Sequence, residues 1–176
     1  SILIIPMIVA PVVVGIVWRL LYSSDVGLLG YVTQLGLGEP ISVLSSPSLA
    51  LAALIVVDIW EWTPFMFLIL LAGIQSLPQE PFEAARVDGV HPLRVFFKVT
   101  LPLIKHPLIV AVVFRLLDAL RIFDLIYVLT SNSSSTISMS GFVRREMVDN
   151  GNVGYGSAAS TSLFLIILMS AVLLLR

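Results

Sequence analysis

The chain has 176 residues, of which 58% are hydrophobic and only 12% charged, with a net charge of −1 and a mean hydropathy of +1.04. A soluble domain of this size carries roughly twice that share of charge, so the composition excludes an ordinary soluble fold and points to an integral membrane protein. The near-neutral charge excludes a nucleic-acid partner, and the absence of cysteine excludes disulfides and thiolate metal sites. Several apolar runs approach the roughly 20 residues a helix needs to cross a bilayer. No alternating segments of about ten residues, the mark of a membrane barrel, occur. The expected fold is an all-α, polytopic transmembrane helical bundle.

The first predicted span is Ile2 to Leu21. Its start is apolar but has no basic residues and no small-residue cleavage site, so a signal peptide is not expected. Pro6, Pro11 and Gly15 inside it predict a kink and close packing. Trp18 and Tyr22 sit at its end as interfacial aromatics do. Ser23 to Pro47 is a Gly/Ser/Pro-rich connection with room for a short interfacial helix. The second span, Leu49 to Ile74, is interrupted by Asp58 and Glu61.

Gln75 to Lys105 is polar. Pro78 and Pro81 suit the start of a helix, predicted over Glu83 to Val87, with Glu83 placed against the positive end of its dipole. Asp88-Gly89 signals a stop and a turn. "PLRVFFKV" then predicts a second, amphipathic helix with Val95, Phe96 and Val99 on its apolar face and Arg94 and Lys98 on its wet face. Pro102 is expected to end this helix–turn–helix knuckle. The third span is Leu103 to Leu129 and carries Arg115, Asp118, Arg121 and Asp124. Thr130 to Gly156 is a polar connection, and after a flexible "NGNVGYGS" the last span is Ser157 to Leu175. Arg86, Arg94, Lys98 and Lys105 concentrate positive charge in the Gln75–Lys105 loop, which places it in the cytoplasm.

A charged residue at mid-bilayer costs about 2.5–3.5 kcal/mol on insertion scales, so the intramembrane charges must face protein or water. Asp58, Glu61 or Trp62, and Phe65 fall on one helical stripe, and Arg115, Asp118 and Ile122 on another. Carboxylates beside aromatic faces suit a sugar, the acids accepting from hydroxyls while the rings pack on its C–H face. The bland reading stays open beside it: Arg115–Asp118, Asp118–Arg121 and Arg121–Asp124 are spaced to neutralise each other, and Asp58 or Glu61 can bridge to an arginine on the third span simply to hold helices together. Trp60 and Trp62 divide between packing and pathway. His91 and His106, each before a proline, read as solvated or capping residues. Asn132-Ser133-Ser134 matches a glycosylation acceptor but reads as loop. No phosphate-cradling glycine loop followed by lysine occurs, and no nucleophile or metal constellation is present.

"EAARVDG…FFKVTLP", with Glu83, Ala84, Ala85, Asp88, Gly89, Phe97, Leu101 and Pro102 in register, resembles the EAA loop of permease subunits in binding-protein-dependent ABC importers. "IPMIVAPVVVGIVWRLLYSSDVGLLG", "GIQSLPQEPFEAA" and "VGYGSAASTSLFLIIL" resemble the corresponding parts of MalF-like sugar permeases. The likeness thus covers nearly the whole chain, residues 1–176, as one ABC permease transmembrane domain of the type I importer class. Since the chain opens without Met and stops just after an apolar run, it is expected to be a fragment of a longer protein. It departs from the family where relatives often carry an Asn/Gly-Gly-Pro turn after the third span and this chain has "TSNSSST".

The resemblance implies that residues 75–105 form a cytoplasmic coupling loop. In that family Glu83, Ala84, Ala85, Asp88 and Gly89 would dock on a separate ATPase. It implies a substrate path lined by Asp58, Trp62, Phe65, Arg115, Asp118, Ala119 and Ile122, to which the stripe adds Glu61. It implies no cofactor in this chain, ATP and Mg being bound by two ATP-binding cassette subunits. The other partners would be a second homologous permease, an extracytoplasmic sugar-binding protein and membrane lipid, in the cell membrane of a prokaryote. The cargo implied is a di- or oligosaccharide of the trehalose or maltose kind, with glycerol-phosphate as the near alternative. A scaffold or sensor subunit that carries nothing is the alternative from another class.

Overall fold

The structure, a computed structural model, describes residues 2–175. Every regular element among them is helical. After a short 3₁₀ turn at Ile2–Ile4, α1 (Ile5–Ile8) and α2 (Pro11–Leu21) form the first span. The expected kink is a full break: Val9 and Ala10 are extended, and Pro11 restarts the helix at the one position where its missing N–H is harmless. The connection that follows does contain a helix, α3 (Leu28–Leu37), closed by Gly38 in the left-handed region. The second span, α4 (Pro47–Gln75), is unbroken over 29 residues, or about 43 Å. It contains a buried Pro64, and the neighbouring Thr63 hydroxyl donates to the Ile59 carbonyl.

The knuckle begins earlier than expected. Its first helix, α5, runs Glu80–Val87 with Pro81 in the first turn. Gly89, at φ +64°, makes the turn that a residue with a Cβ would resist. The second helix starts as α6 (Pro92–Val95), and the His91 ring accepts a hydrogen bond from the Leu93 N–H at 3.3 Å. A π-helical turn over Phe96–Thr100 leads directly into α7 (Leu101–Leu103). Pro102 therefore does not end the unit. It occupies a position just inside the start of α7, and the break comes at Ile104.

The third span is not the continuous helix expected over 103–129. It is α8 (Lys105–Leu120) and a separate α9 (Asp124–Thr130). The first helix closes in a tightened turn, with Arg121 N–H donating to Asp118 O and Ile122 N–H to Ala119 O. Phe123, at φ −138° and ψ −58°, redirects the chain, and Asp124 sits in the first turn of the new helix where a carboxylate meets the positive end of the dipole. Beyond it, Ser138 caps α10 (Met139–Arg144), a π-helical turn spans Arg145–Asp149, and α11 (Val153–Leu175) is the last span. The segment expected to be flexible before Ser157 is already helical from Val153.

Antiparallel α4 and α8 pack along each other, and α9 wedges between α2 and the first half of α4. The core lies there: Val14, Leu54, Val57, Leu125, Ile126 and Leu129 cluster with Tyr22, whose hydroxyl donates to the Ala53 carbonyl at 3.3 Å. Close backbone approach, rather than expulsion of water, holds such helices together in lipid. Gly73 in α4 lies against Pro107 at the start of α8, and a Cβ built on it would come within 2.6 Å of the proline Cβ. Gly73→Val is expected to lower stability by about 1–3 kcal/mol through overpacking, read as a lower unfolding midpoint in detergent. Gly36→Ala, in open space on α3, is expected to leave that midpoint unchanged or slightly raised.

Candidate functional site

The intramembrane charges converge where α4 meets α8. The Arg115 guanidinium is paired with Asp58 across the two helices and donates to Asp118 on its own helix at 3.0 Å. It also lies over the Trp62 ring, 5.2 Å from the centroid. Trp62 meets Phe65 edge-on at 5.8 Å, and Phe65 meets Phe114 at 6.4 Å. A single arginine is thus enclosed by two carboxylates and one aromatic face, with a wall of rings behind. Among the described residues Glu61 is the most buried charged residue, 3% exposed.

Three adjoining hollows surround this cluster. Asp58, Trp62, Thr63, Met66, Phe67 and Arg115 line one of about 410 Å³. Asp58, Arg115, Ala119 and Ile122 share a second, of about 170 Å³. Glu61, Trp62, Asp118 and Ile122 share a third, of about 120 Å³, with the broken backbone at 121–123. The expected pathway residues are therefore brought together, except that Phe65 stands behind Trp62 as packing. Irregular backbone at membrane depth is tolerated where it is buried in protein or lines a cavity, and residues 121–123 border the third hollow.

The pairing expected on sequence spacing is only partly made. Arg115 joins Asp58 and Asp118, but among the described residues Arg121 pairs with neither Asp118 nor Asp124. Asp58 keeps one oxygen in reserve: its Oδ1 is buried and accepts no hydrogen bond among the described residues. Trp60 stands edge-on to Trp18 at 5.6 Å, which is packing. Thr63 and Met66 line the first hollow and Phe114 backs Phe65; none of the three was expected, since an uncharged residue on a span carries no signal of which face it occupies.

At the other end of α4 the knuckle is exposed. Glu83, Ala84, Asp88 and Gly89 face outward, while Ala85 is buried. The side chains of Glu83 and Asp88 cap no helix and make no ion pair among the described residues. The helix instead closes through backbone bonds, Asp88 N–H to Ala84 O and Val90 N–H to Ala85 O. Of the face expected to be apolar, Val95 and Val99 are half-buried and Phe96 is exposed beside Phe97. Val87, 89% exposed, Leu93 and Phe97 are exposed apolar side chains along this turn.

Removing one partner of a buried ion pair is more harmful than removing both. Arg115→Met is expected to cost about 3 kcal/mol, and Arg115→Met with Asp58→Asn less than the single change. Asp118→Asn should cost least, because that side chain is 45% exposed. Unfolding midpoints of the three variants decide it; equal loss in the first two would show that the cross-helix pair contributes nothing.

The trehalose/maltose transport system permease protein MalF of Thermococcus litoralis is 37% identical over 180 residues, covering all of this chain and 60% of that protein. The trehalose transport system permease protein SugA of Mycobacterium tuberculosis is 45% identical over 115 residues, covering 65% of this chain and 38% of that protein. This chain thus spans about 60% or less of the length of these relatives, both of them permease subunits. The crystal structure of a bacterial ABC transporter involved in import of the acidic polysaccharide alginate matches in fold, with a TM-score of 0.88 over 98% of this chain and 62% of that one, at 22% identity. The model of the family described as the binding-protein-dependent transport system inner membrane component matches residues 1–176, and the chain belongs to that family.

Proposed function

We propose that this chain forms one half of the membrane pathway of an ATP-driven ABC importer for a di- or oligosaccharide. A second, homologous permease would complete the pathway. Two ATPase subunits, which bind ATP and Mg, would sit below it in the cytoplasm, and an extracytoplasmic sugar-binding protein would sit above. The observation that carries the reading is the α5–Gly89 turn: a short rigid helix, held by backbone bonds, that presents carboxylates and exposed apolar side chains between two spans. Closure of the ATPases would push this knuckle and, through α4 and α8, part the helices around the Asp58–Arg115 cluster.

The names of the relatives support a saccharide cargo, and the site is chemically suited to one. Asp58 Oδ1 has an acceptor to spare for a hydroxyl, and Trp62 offers a ring face. A glycerol-phosphate cargo is less well served, because Arg115 is already engaged by two carboxylates. The same pairing favours the second reading, a scaffold whose intramembrane charges only neutralise one another.

Glu83→Lys combined with Gly89→Pro is expected to abolish sugar-stimulated ATP hydrolysis and uptake in the reconstituted complex while the subunits still co-purify. Uptake at wild-type speed would refute the coupling role. Asp58→Asn with Asp118→Asn should reduce uptake at least about tenfold, the loss of one good charge-assisted hydrogen bond. If uptake is intact, the scaffold reading holds. Trehalose and maltose, tested singly, identify the cargo by which raises the ATPase rate.

A further inference from the structure

The second concentration of arginine lies at the end of the bundle opposite the Gln75–Lys105 knuckle. Arg19 near the end of α2, Arg144 at the end of α10 and Arg145 at the start of the π-helical turn line one hollow of about 480 Å³, together with Tyr127, Ser131 and Asp149. Three guanidinium groups there face one carboxylate. The contrast with Arg115 is chemical. That arginine is enclosed by two carboxylates, whereas these are held mainly by rings and a carbonyl. Arg144 lies over Tyr127 at 4.7 Å and over Phe123 at 6.0 Å, and those two rings stack on each other at 5.4 Å. Arg145 lies over Phe142 at 5.4 Å. Arg19 donates to the Val128 carbonyl at 3.2 Å. The single ion pair is a long one, Arg144 to Asp149 at 3.4 Å.

Ring faces and carbonyls fix a guanidinium in place but cancel none of its formal charge. Like charges gathered in one half-buried hollow repel unless something of opposite sign joins them. Fork-shaped donors already held in position are also the geometry that binds oxyanions in bidentate fashion. We propose that the Arg19–Arg144–Arg145 hollow is an anion site that takes a phosphate, sulfate or carboxylate group. The group is carried either by a lipid headgroup or by a soluble anion. Arg19, which lines the hollow, is exposed, so either source can reach it.

The test uses the full-length protein with the subunits that co-purify with it, in nanodiscs. In one arm the discs are phosphatidylcholine and inorganic phosphate replaces chloride at matched ionic strength. In the other, equal parts of phosphatidylcholine and phosphatidylglycerol are used without phosphate. The unfolding midpoint is read in both arms, and retained phosphatidylglycerol is counted by native mass spectrometry in the second. The wild type is expected to be stabilised in at least one arm: by phosphatidylglycerol if a headgroup is the ligand, by phosphate if a soluble anion is. Arg144→Gln with Arg145→Gln should weaken that response roughly tenfold. Arg19→Gln, on an exposed residue that leaves the ring stacks untouched, should weaken it in the same direction. Indifference of the wild type to both probes, or an undiminished response in the variants, overturns the proposal.

Discussion

A guanidinium held between two apolar helices has to be surrounded, and much of this architecture follows from how Arg115 is surrounded. Asp58 reaches it from α4, Asp118 from one turn along α8, and Trp62 covers its face. Each contact requires α4 and α8 to lie side by side in a fixed register. Gly73 against Pro107 sets their separation at one end. The core around Leu125 and Leu129 sets it at the other. The cluster is thus held between two packed regions, with hollows along its walls. Charges that hold helices together can also be the groups a polar cargo meets, because both roles need a polar surface that lipid never touches.

Much of this was legible in the residues. Apolar runs marked the two single helices long and apolar enough to cross a membrane, α4 and α11, because hydrocarbon leaves a helix few alternatives. Asp88-Gly89 marked the turn of the knuckle, since local backbone chemistry decides it. Pro11 marked the break in the first span. The break at Arg121–Phe123 had no such mark: no proline or glycine stands there, and only the docking of α9 into the core makes the change of direction worthwhile. The different fates of Ala84 and Ala85 were equally hidden, since neighbours of identical type differ only in the face they are given. The arginine hollow was invisible for a simpler reason, that Arg19 and Arg144 are far apart in the chain and meet only through α2 and α9.

The saccharide relatives and the enclosed arginine point in compatible directions. A neutral polyol asks for hydrogen-bond acceptors and a flat apolar surface, not for net charge. Asp58, Trp62 and the rings behind them offer both, while Arg115 offsets only one of its two carboxylates and so leaves acceptor capacity over.

The spans differ in one respect that bears on how such a chain reaches its place. Among the described residues only α4 and α11 are single helices apolar and long enough to cross the bilayer alone. Hydrophobicity suffices for an insertion machinery to recognise those two. The split pairs, α1–α2 and α8–α9, contain no single helix of that length, and a broken helix entering lipid relies on neighbours to satisfy its freed backbone groups. During biogenesis they would have to wait in a protected vestibule, or enter as passengers beside the whole helices. The breaks that shape the finished interior are thus also what makes its manufacture cooperative.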